Sequence, residues 1–163
     1  MQETYTYPFF FRLIYRYGNL AATFVLILYM LPLLNFSNAN MAQKIYAAAI
    51  VVMIFFLNRY FIRLNKNTPY KIEIEDGVIT GSDFFLSAEK RVIYPEEITD
   101  LRGGVFEGKA RGMMRICTGE KEMIFYHSLT NADKLEAFLI SKADKDIYDR
   151  VVKALKANQP SKK

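Results

Sequence analysis

The sequence predicts a membrane-embedded helical hairpin followed by a small α+β domain, a strongly bent antiparallel sheet or small barrel closed by a C-terminal helix. Three observations carry that prediction. No charged residue occurs between Arg16 and Lys44, a second apolar run lies between Lys44 and Arg59, and the pattern turns to period-two alternation at Tyr70 and then to a helical period after Thr130. Hydrophobic periodicity is the primary signal for element type, and an uncharged apolar stretch of roughly 20 residues is long enough to span a bilayer.

The first span is expected at about 17–35, where Leu20 to Leu34 reads LAATFVLILYMLPLL. Pro32 falls near its far end, where the loss of one backbone donor costs little because the helix is already ending. The second span is expected at about 42–62. Its uncharged part runs only from Ile45 to Asn58, so Lys44 and Arg59 are expected at the two interfaces with their charges reaching back to water. Neither run contains Asp, Glu or His, which argues against proton relay or ion transport. An anchor that also packs on partner helices through Ala47, Ala48 and Ala49 is the expectation. Asn35-Phe-Ser37 matches a glycosylation acceptor, but so short a turn against a bilayer is a poor one.

Ahead of the hairpin, Tyr5, Tyr7, Phe9, Phe10, Phe11, Tyr15 and Tyr17 surround Arg12 and Arg16. Aromatics at headgroup level with cations in the phosphate layer are what an interfacial segment needs; alternatively, Phe9 to Tyr17 begins the first helix below the membrane plane. Residues 1–66 hold six cations against the single Glu3, which accounts for the whole net charge of +5, while residues 67–163 hold 16 charges of each sign. The basic character is thus topological, and no nucleic-acid partner is expected. Arg12 and Arg16 precede the first span and Arg59, Arg63, Lys66 and Lys71 attend the end of the second, so both termini are expected in the cytoplasm. The lone Cys117 excludes an internal disulfide and fits a reducing compartment. No cleaved signal peptide is expected, because the first apolar run is too long for one.

From residue 67 to 157 one small domain is expected, with 158–163 as a tail. Lys71, Glu73 and Glu75 alternate with Ile72 and Ile74, Asp76-Gly77 supplies a hairpin turn, and Val78 to Thr80 resumes as a second strand. Further strands are expected at Phe84 to Ser87, Arg91 to Tyr94, Ile98 to Phe106, Gly112 to Cys117 and Met123 to His127, with Thr118 to Lys121 as the last turn. Six or seven consecutive antiparallel strands predict a bent sheet or small barrel with few exposed edges. Then Thr130 and Asp133 have capping-box spacing, Leu135, Phe138 and Leu139 form an apolar stripe, and Ile147, Val151 and Leu155 continue it beyond Asp144.

A sheet of this kind closed by one C-terminal helix is the plan of a pleckstrin-homology (PH) domain. With two N-terminal apolar helices, then IEDGVITG, VIYPEEITDLRGG, RICTGEKEMIFY and LTNADKLEAFL, the chain is similar over nearly its whole length to the bacterial PH-like domain proteins that sit on membrane hairpins. The resemblance implies a PH-like fold on a bacterial inner membrane. That family has no general activity to lend.

Several constellations suggest chemistry and fail on spacing. Gly103 to Ala110 matches G-x-x-x-x-G-K but ends in Ala where a phosphate loop needs Ser or Thr, and a strand follows where the phosphate cradle needs a helix. His127-Ser128 lacks a second His and a fixed acid, and Cys117 with His127 makes neither a zinc site nor an activated thiolate. Glu96 and Glu97 are adjacent and point to opposite sides of an extended segment. No catalytic residue, metal ligand or cofactor is therefore expected.

The surface feature that remains is basic. Arg102, Lys109, Arg111 and Arg115 are interrupted by Glu107 alone, and on a hairpin of Ile98 to Phe106 with Gly112 to Cys117 they are placed to converge on one face. Such a face suits anionic headgroups or an acidic partner, each cation contributing about 1 kcal/mol near an anionic surface. The alternative is an ordinary solvated surface in which Glu96, Glu97 and Asp100 neutralise the cations. The functional expectation is a non-enzymatic module at the cytoplasmic face, binding a membrane-protein partner, a membrane complex or a second copy of itself, with anionic-lipid sensing as the alternative.

Overall fold

A computed structural model describes residues 3–34, 40–119 and 121–158 of the chain. Two long helices, α1 (Phe9–Met30) and α2 (Met41–Lys66), pack as a hairpin, and both are long and apolar enough to cross a membrane by length and composition. A 3-10 turn at Leu31–Leu34 ends the first arm, where Pro32 supplies no amide donor. Asn40 caps α2 reciprocally: its side chain accepts from the Gln43 amide and the Gln43 side chain accepts from the Asn40 amide, both at 2.9 Å. Arg63 and Lys66 sit in the last turn, where cations complement the helix dipole. The expected glycosylation motif at 35–37 lies outside the described residues.

The hairpin turns apolar side chains outward, among them Phe24, Leu28, Val52, Phe55 and Phe56. Between its arms lies a polar contact. Asn19 donates to Asn58 Oδ1 at 2.9 Å, and Asn58 Nδ2 donates to Thr23 Oγ1 at 2.8 Å and to the Ile54 carbonyl at 3.0 Å. Of the three alanines expected to meet partner helices, Ala47 is buried within the described chain and Ala48 and Ala49 are exposed.

At residues 3–7 the N-terminal segment departs from the interfacial expectation, while the alternative for Phe9 to Tyr17, that it begins the first helix, is the arrangement seen. Glu3–Thr6 is a strand, β1, and it pairs antiparallel with β2 (Lys71–Glu75), Thr6 opposite Lys71 and Glu3 opposite Ile74. Tyr5 and Tyr7 are buried in the domain core instead of lying at headgroup level, because alternation in a strand sends both to the same face. Helix α1 starts at Phe9 directly after Pro8, so the helical hairpin is inserted between the first two strands of a sheet.

That sheet continues through β3 (Val78–Ser82) and β4 (Arg91–Ile93) in the order β1-β2-β3-β4. A second sheet holds β5 (Ile98–Arg102), β6 (Met113–Thr118) and β7 (Glu122–Tyr126) in sequence order. The two do not close into a barrel. Between β4 and β5 the chain makes a 3-10 turn at Pro95–Glu97, and proline cannot donate to a ladder. Between β7 and β1 there are isolated bonds: the Tyr126 amide donates to Tyr7 Oη at 2.9 Å and the Thr130 amide to the Thr6 carbonyl at 2.9 Å.

Two expected strands are corrected. Phe84 to Ser87 is a tight turn with a single bridge between its ends, because Asp83 and Leu86 take positive φ. The strand expected to reach Phe106 stops at Arg102, where Gly103 (φ +74) turns the chain into a 3-10 segment at Gly104–Glu107. The C-terminal helix is also two: α3 (Ala132–Lys142) and α4 (Lys145–Ala157), broken where Ala143 is extended and Asp144 takes the N-cap position. The capping box at Thr130 is not formed; Asn131 is the N-cap, in the left-handed region and without a side-chain bond. Leu135, Leu139 and Val151 are fully buried and close the core made by Ile72, Ile79, Leu101, Met114, Ile116 and Phe125.

Candidate functional site

The basic face forms where β5 passes into β6. Arg102 and Arg115 are cross-strand partners, and Lys109 and Arg111 lie on the connection between the strands. Two glycines set its shape. A Cβ at Gly103 would come within 2.3 Å of the Met113 carbonyl, and one at Gly108 within 2.4 Å of the Ala154 carbonyl on α4. The loop is thereby held flat against the neighbouring strand and helix. All four expected cations line one open concavity of about 490 Å³, with Gly103, Gly104, Glu107, Gly112 and Met113.

Acids pair with three of the four cations, in part as the neutralised-surface alternative has it. Of Glu96, Glu97 and Asp100, it is Asp100 that pairs with the cluster, through Arg102. Lys109 Nζ meets Glu107 at 2.9 Å and Arg115 Nη1 meets Glu122 at 3.0 Å. Arg111 has no ion pair or hydrogen bond among the described residues. Asp100 also receives Arg150 from α4, whose guanidinium donates to the Leu101 carbonyl at 2.9 Å. Burial acts to raise the Asp100 carboxyl, but the hydrogen bonds from Arg150 and Arg102 outweigh it and hold it below its ordinary range. Hydrogen bonds from Lys109 and from the Gly103 amide lower Glu107 in the same direction.

Residues of the concavity also line two separate grooves at the foot of the hairpin. Arg111, Gly112 and Met113 also line a groove of about 500 Å³ with Phe11 and Tyr15 of α1 and Tyr126, His127 and Ser128. Tyr15 anchors it, stacking on Tyr126 at 4.4 Å between ring centroids and bonding Ser128 Oγ at 2.9 Å. On the other side Arg115 shares a smaller groove of about 200 Å³ with Tyr60, Arg63 and Leu64 of α2. Nothing in the spacing of Tyr15, Tyr60 or Arg63 marks them as neighbours of the cluster, since each is separated from it by a domain strand or a helix.

The remaining constellations stay apart. Gly103 to Ala110 is followed by β6 and offers no helix N-terminus to a phosphate. Cys117 faces Glu122 across the β6–β7 pair whereas His127 lies beyond Tyr126, the partner of Met113, so the two are on the order of 16 Å apart along the strand. Burial, reinforced by Glu122, raises the Cys117 thiol and keeps it a weak nucleophile. His127 Nδ1 is bonded to Glu136 Oε1 at 3.0 Å, with Asp133 Oδ1 at 4.0 Å. These three are the set among the described residues placed to share a cation, but Asp133 is largely exposed and the imidazole nitrogen is already engaged. No family model, curated protein or solved structure matches the chain.

Proposed function

We propose that this chain is a non-enzymatic, membrane-anchored PH-like interaction module of a bacterial inner membrane. Its hairpin holds the domain at the cytoplasmic face, where it binds a membrane-protein partner, a membrane complex or a second copy. The observation that carries the reading is the pairing of β1 with β2 across the inserted hairpin. A sheet that takes strands from both sides of a helical hairpin requires both ends of that hairpin on one side of the bilayer, and the cations at its foot favour the cytoplasmic side. The domain is thereby fixed at the surface without a flexible linker. A four-stranded and a three-stranded antiparallel sheet capped by C-terminal helices support the PH-like assignment.

Anionic lipid is the second reading, and a specific observation favours it. Arg111 and Arg115 of the basic concavity also line grooves with Tyr15 and Tyr60 at the hairpin's foot, the level at which headgroups would lie. A photo-crosslinking side chain in place of Lys109, irradiated in native membranes, separates the two. A discrete protein adduct supports the interaction module, while lipid adducts that fade with salt and with Arg111→Glu and Arg115→Glu support lipid binding. Capture of neither would defeat both. A phosphatase fused after Lys163 should be inactive; an active one would place the domain on the opposite side.

A further inference from the structure

The connection between β3 and β4 lies at the hairpin end of the first sheet. β1 enters α1 through Pro8, Thr6 is opposite Lys71 just after α2, and Lys71 is opposite Ser82 at the end of β3. β4 begins at Arg91, opposite Gly81. Residues 83–90 therefore leave and rejoin the sheet at the end from which both helices rise, while the Asp76-Gly77 turn marks the far end. Asp83 fixes the level, for its carboxylate pairs with both Arg12 and Arg16 on α1, just before the charge-free run.

Within this connection Phe84 is buried beneath the Arg91 guanidinium, 4.6 Å above its ring, and Phe85 is half-buried against the core. Leu86 is different: it is 87% exposed and its φ is +55°. The left-handed region is one that glycine and asparagine tolerate and a bulky apolar residue does not favour. The Ser87 amide closes the turn on the Phe84 carbonyl at 3.3 Å and holds the backbone of Leu86 in this conformation, so the side chain is presented outward with nothing covering it among the described residues.

We propose that the turn Phe84–Ser87 is a membrane-contact wedge, in which Leu86 enters the interfacial layer of the bilayer beside the hairpin and Arg12, Arg16 and Lys90 lie at headgroup level around it. An exposed apolar side chain on a turn that Asp83 ties to Arg12 and Arg16 of α1 suits a phospholipid interface. The wedge belongs to the first sheet and the basic concavity to the second, so the wedge stands independently of what the concavity binds. The inference rests on the hairpin spanning the membrane as proposed above.

The test uses the full chain carrying Cys117→Ser and one added cysteine at a time, labelled with an environment-sensitive fluorophore and reconstituted in phosphatidylcholine–phosphatidylglycerol nanodiscs containing shallow spin-labelled lipid, or deep spin-labelled lipid for the residue within the span. Leu86→Cys reports the wedge, Val25→Cys the outward face of α1, and Glu75→Cys the far end of the sheet. Leu86 packs into no core cluster, so its replacement leaves the fold in place. Quenching at Leu86 about threefold above that at Glu75, with blue-shifted emission, is the expected result for interfacial insertion. Equal quenching at Leu86 and Glu75 while Val25 is quenched overturns the wedge and spares the anchor. An unquenched Val25 overturns the membrane-spanning reading and the wedge with it.

Discussion

The helical hairpin and the sheet domain are built inside out with respect to each other. In the hairpin the rings and branched side chains of Phe24, Leu28, Phe55 and Phe56 face outward while Asn19 is 6% exposed and bonded across the pair to Asn58. In the domain the same kinds of side chain, Ile72, Leu101, Met114 and Phe125, are fully buried and the charges of Arg102, Lys109 and Arg111 are outside. Apolar burial drives the folding of a region surrounded by water, but gives two helices in lipid no reason to associate, so there interhelical hydrogen bonds and close packing take over. The inversion is what a chain that serves two solvents should show, and it lends weight to the membrane reading.

Removing the strand that ties the two regions together should have the largest effect. Deleting residues 1–8 takes β1 and the buried Tyr5 and Tyr7 from the core. Loss of one large buried aromatic costs about 3–5 kcal/mol, and a whole domain is stable by about 5–15 kcal/mol, so losing two with their strand should leave the domain unfolded. Neither residue belongs to α1 or α2. Limited proteolysis of isolated membranes should release domain fragments from the deleted chain while α1 and α2 stay with the membrane fraction. A protease-resistant domain would mean that β1 is dispensable and that the domain stands apart from its anchor.

The smaller change Asn58→Leu acts on the hairpin alone. It removes the bonds to Asn19 and Thr23 and leaves the Asn19 amide without its partner. Such intramembrane bonds contribute about 1 kcal/mol, so the helix pair should separate at lower detergent denaturant, read by energy transfer between labels on α1 and α2. The domain's own urea transition should not move. A shift in both would show that helix pairing and domain folding are one cooperative unit.

The hairpin was legible because a long uncharged apolar stretch is what a bilayer demands and a water-facing helix lacks, and β2, β3, β6 and β7 because their alternation matches a half-buried sheet. β1 was not. Glu-Thr-Tyr-Thr alternates too, but four residues beside an aromatic-rich, membrane-adjacent run give the same composition as an interfacial belt, and only the partner strand some 65 residues later decides between them. Phe84-Phe-Leu reads as strand because positive φ at Asp83 and Leu86 leaves no trace in residue type. The basic cluster was legible as a cluster, since its members sit on one β-hairpin. Its junction with the foot of α1 and α2 was not, because that adjacency is created by the insertion of the hairpin between β1 and β2.

The last and smallest effect separates the two regions by pH. The hairpin's internal contacts are uncharged amides and a hydroxyl, whereas the domain holds α4 against β5 partly through Asp100, which accepts from Arg150 and Arg102. The folded carboxyl lies below its ordinary value of 3.8. A depressed carboxyl contributes stability that is fully present above that value and is lost as pH falls through its lower folded pKa. Arg102 and Arg150 are more than half exposed, so solvent screening limits the contribution to about 1 kcal/mol or less. Asp100→Asn should therefore lower the domain's urea midpoint slightly at pH 7, and the difference from the unaltered chain should shrink as pH falls below 3.8 and through the depressed folded pKa of Asp100. Helix–helix energy transfer in the hairpin should stay level across the same range. A difference that persists undiminished in acid would mean that Asp100 acts through its shape and packing, not through its charge.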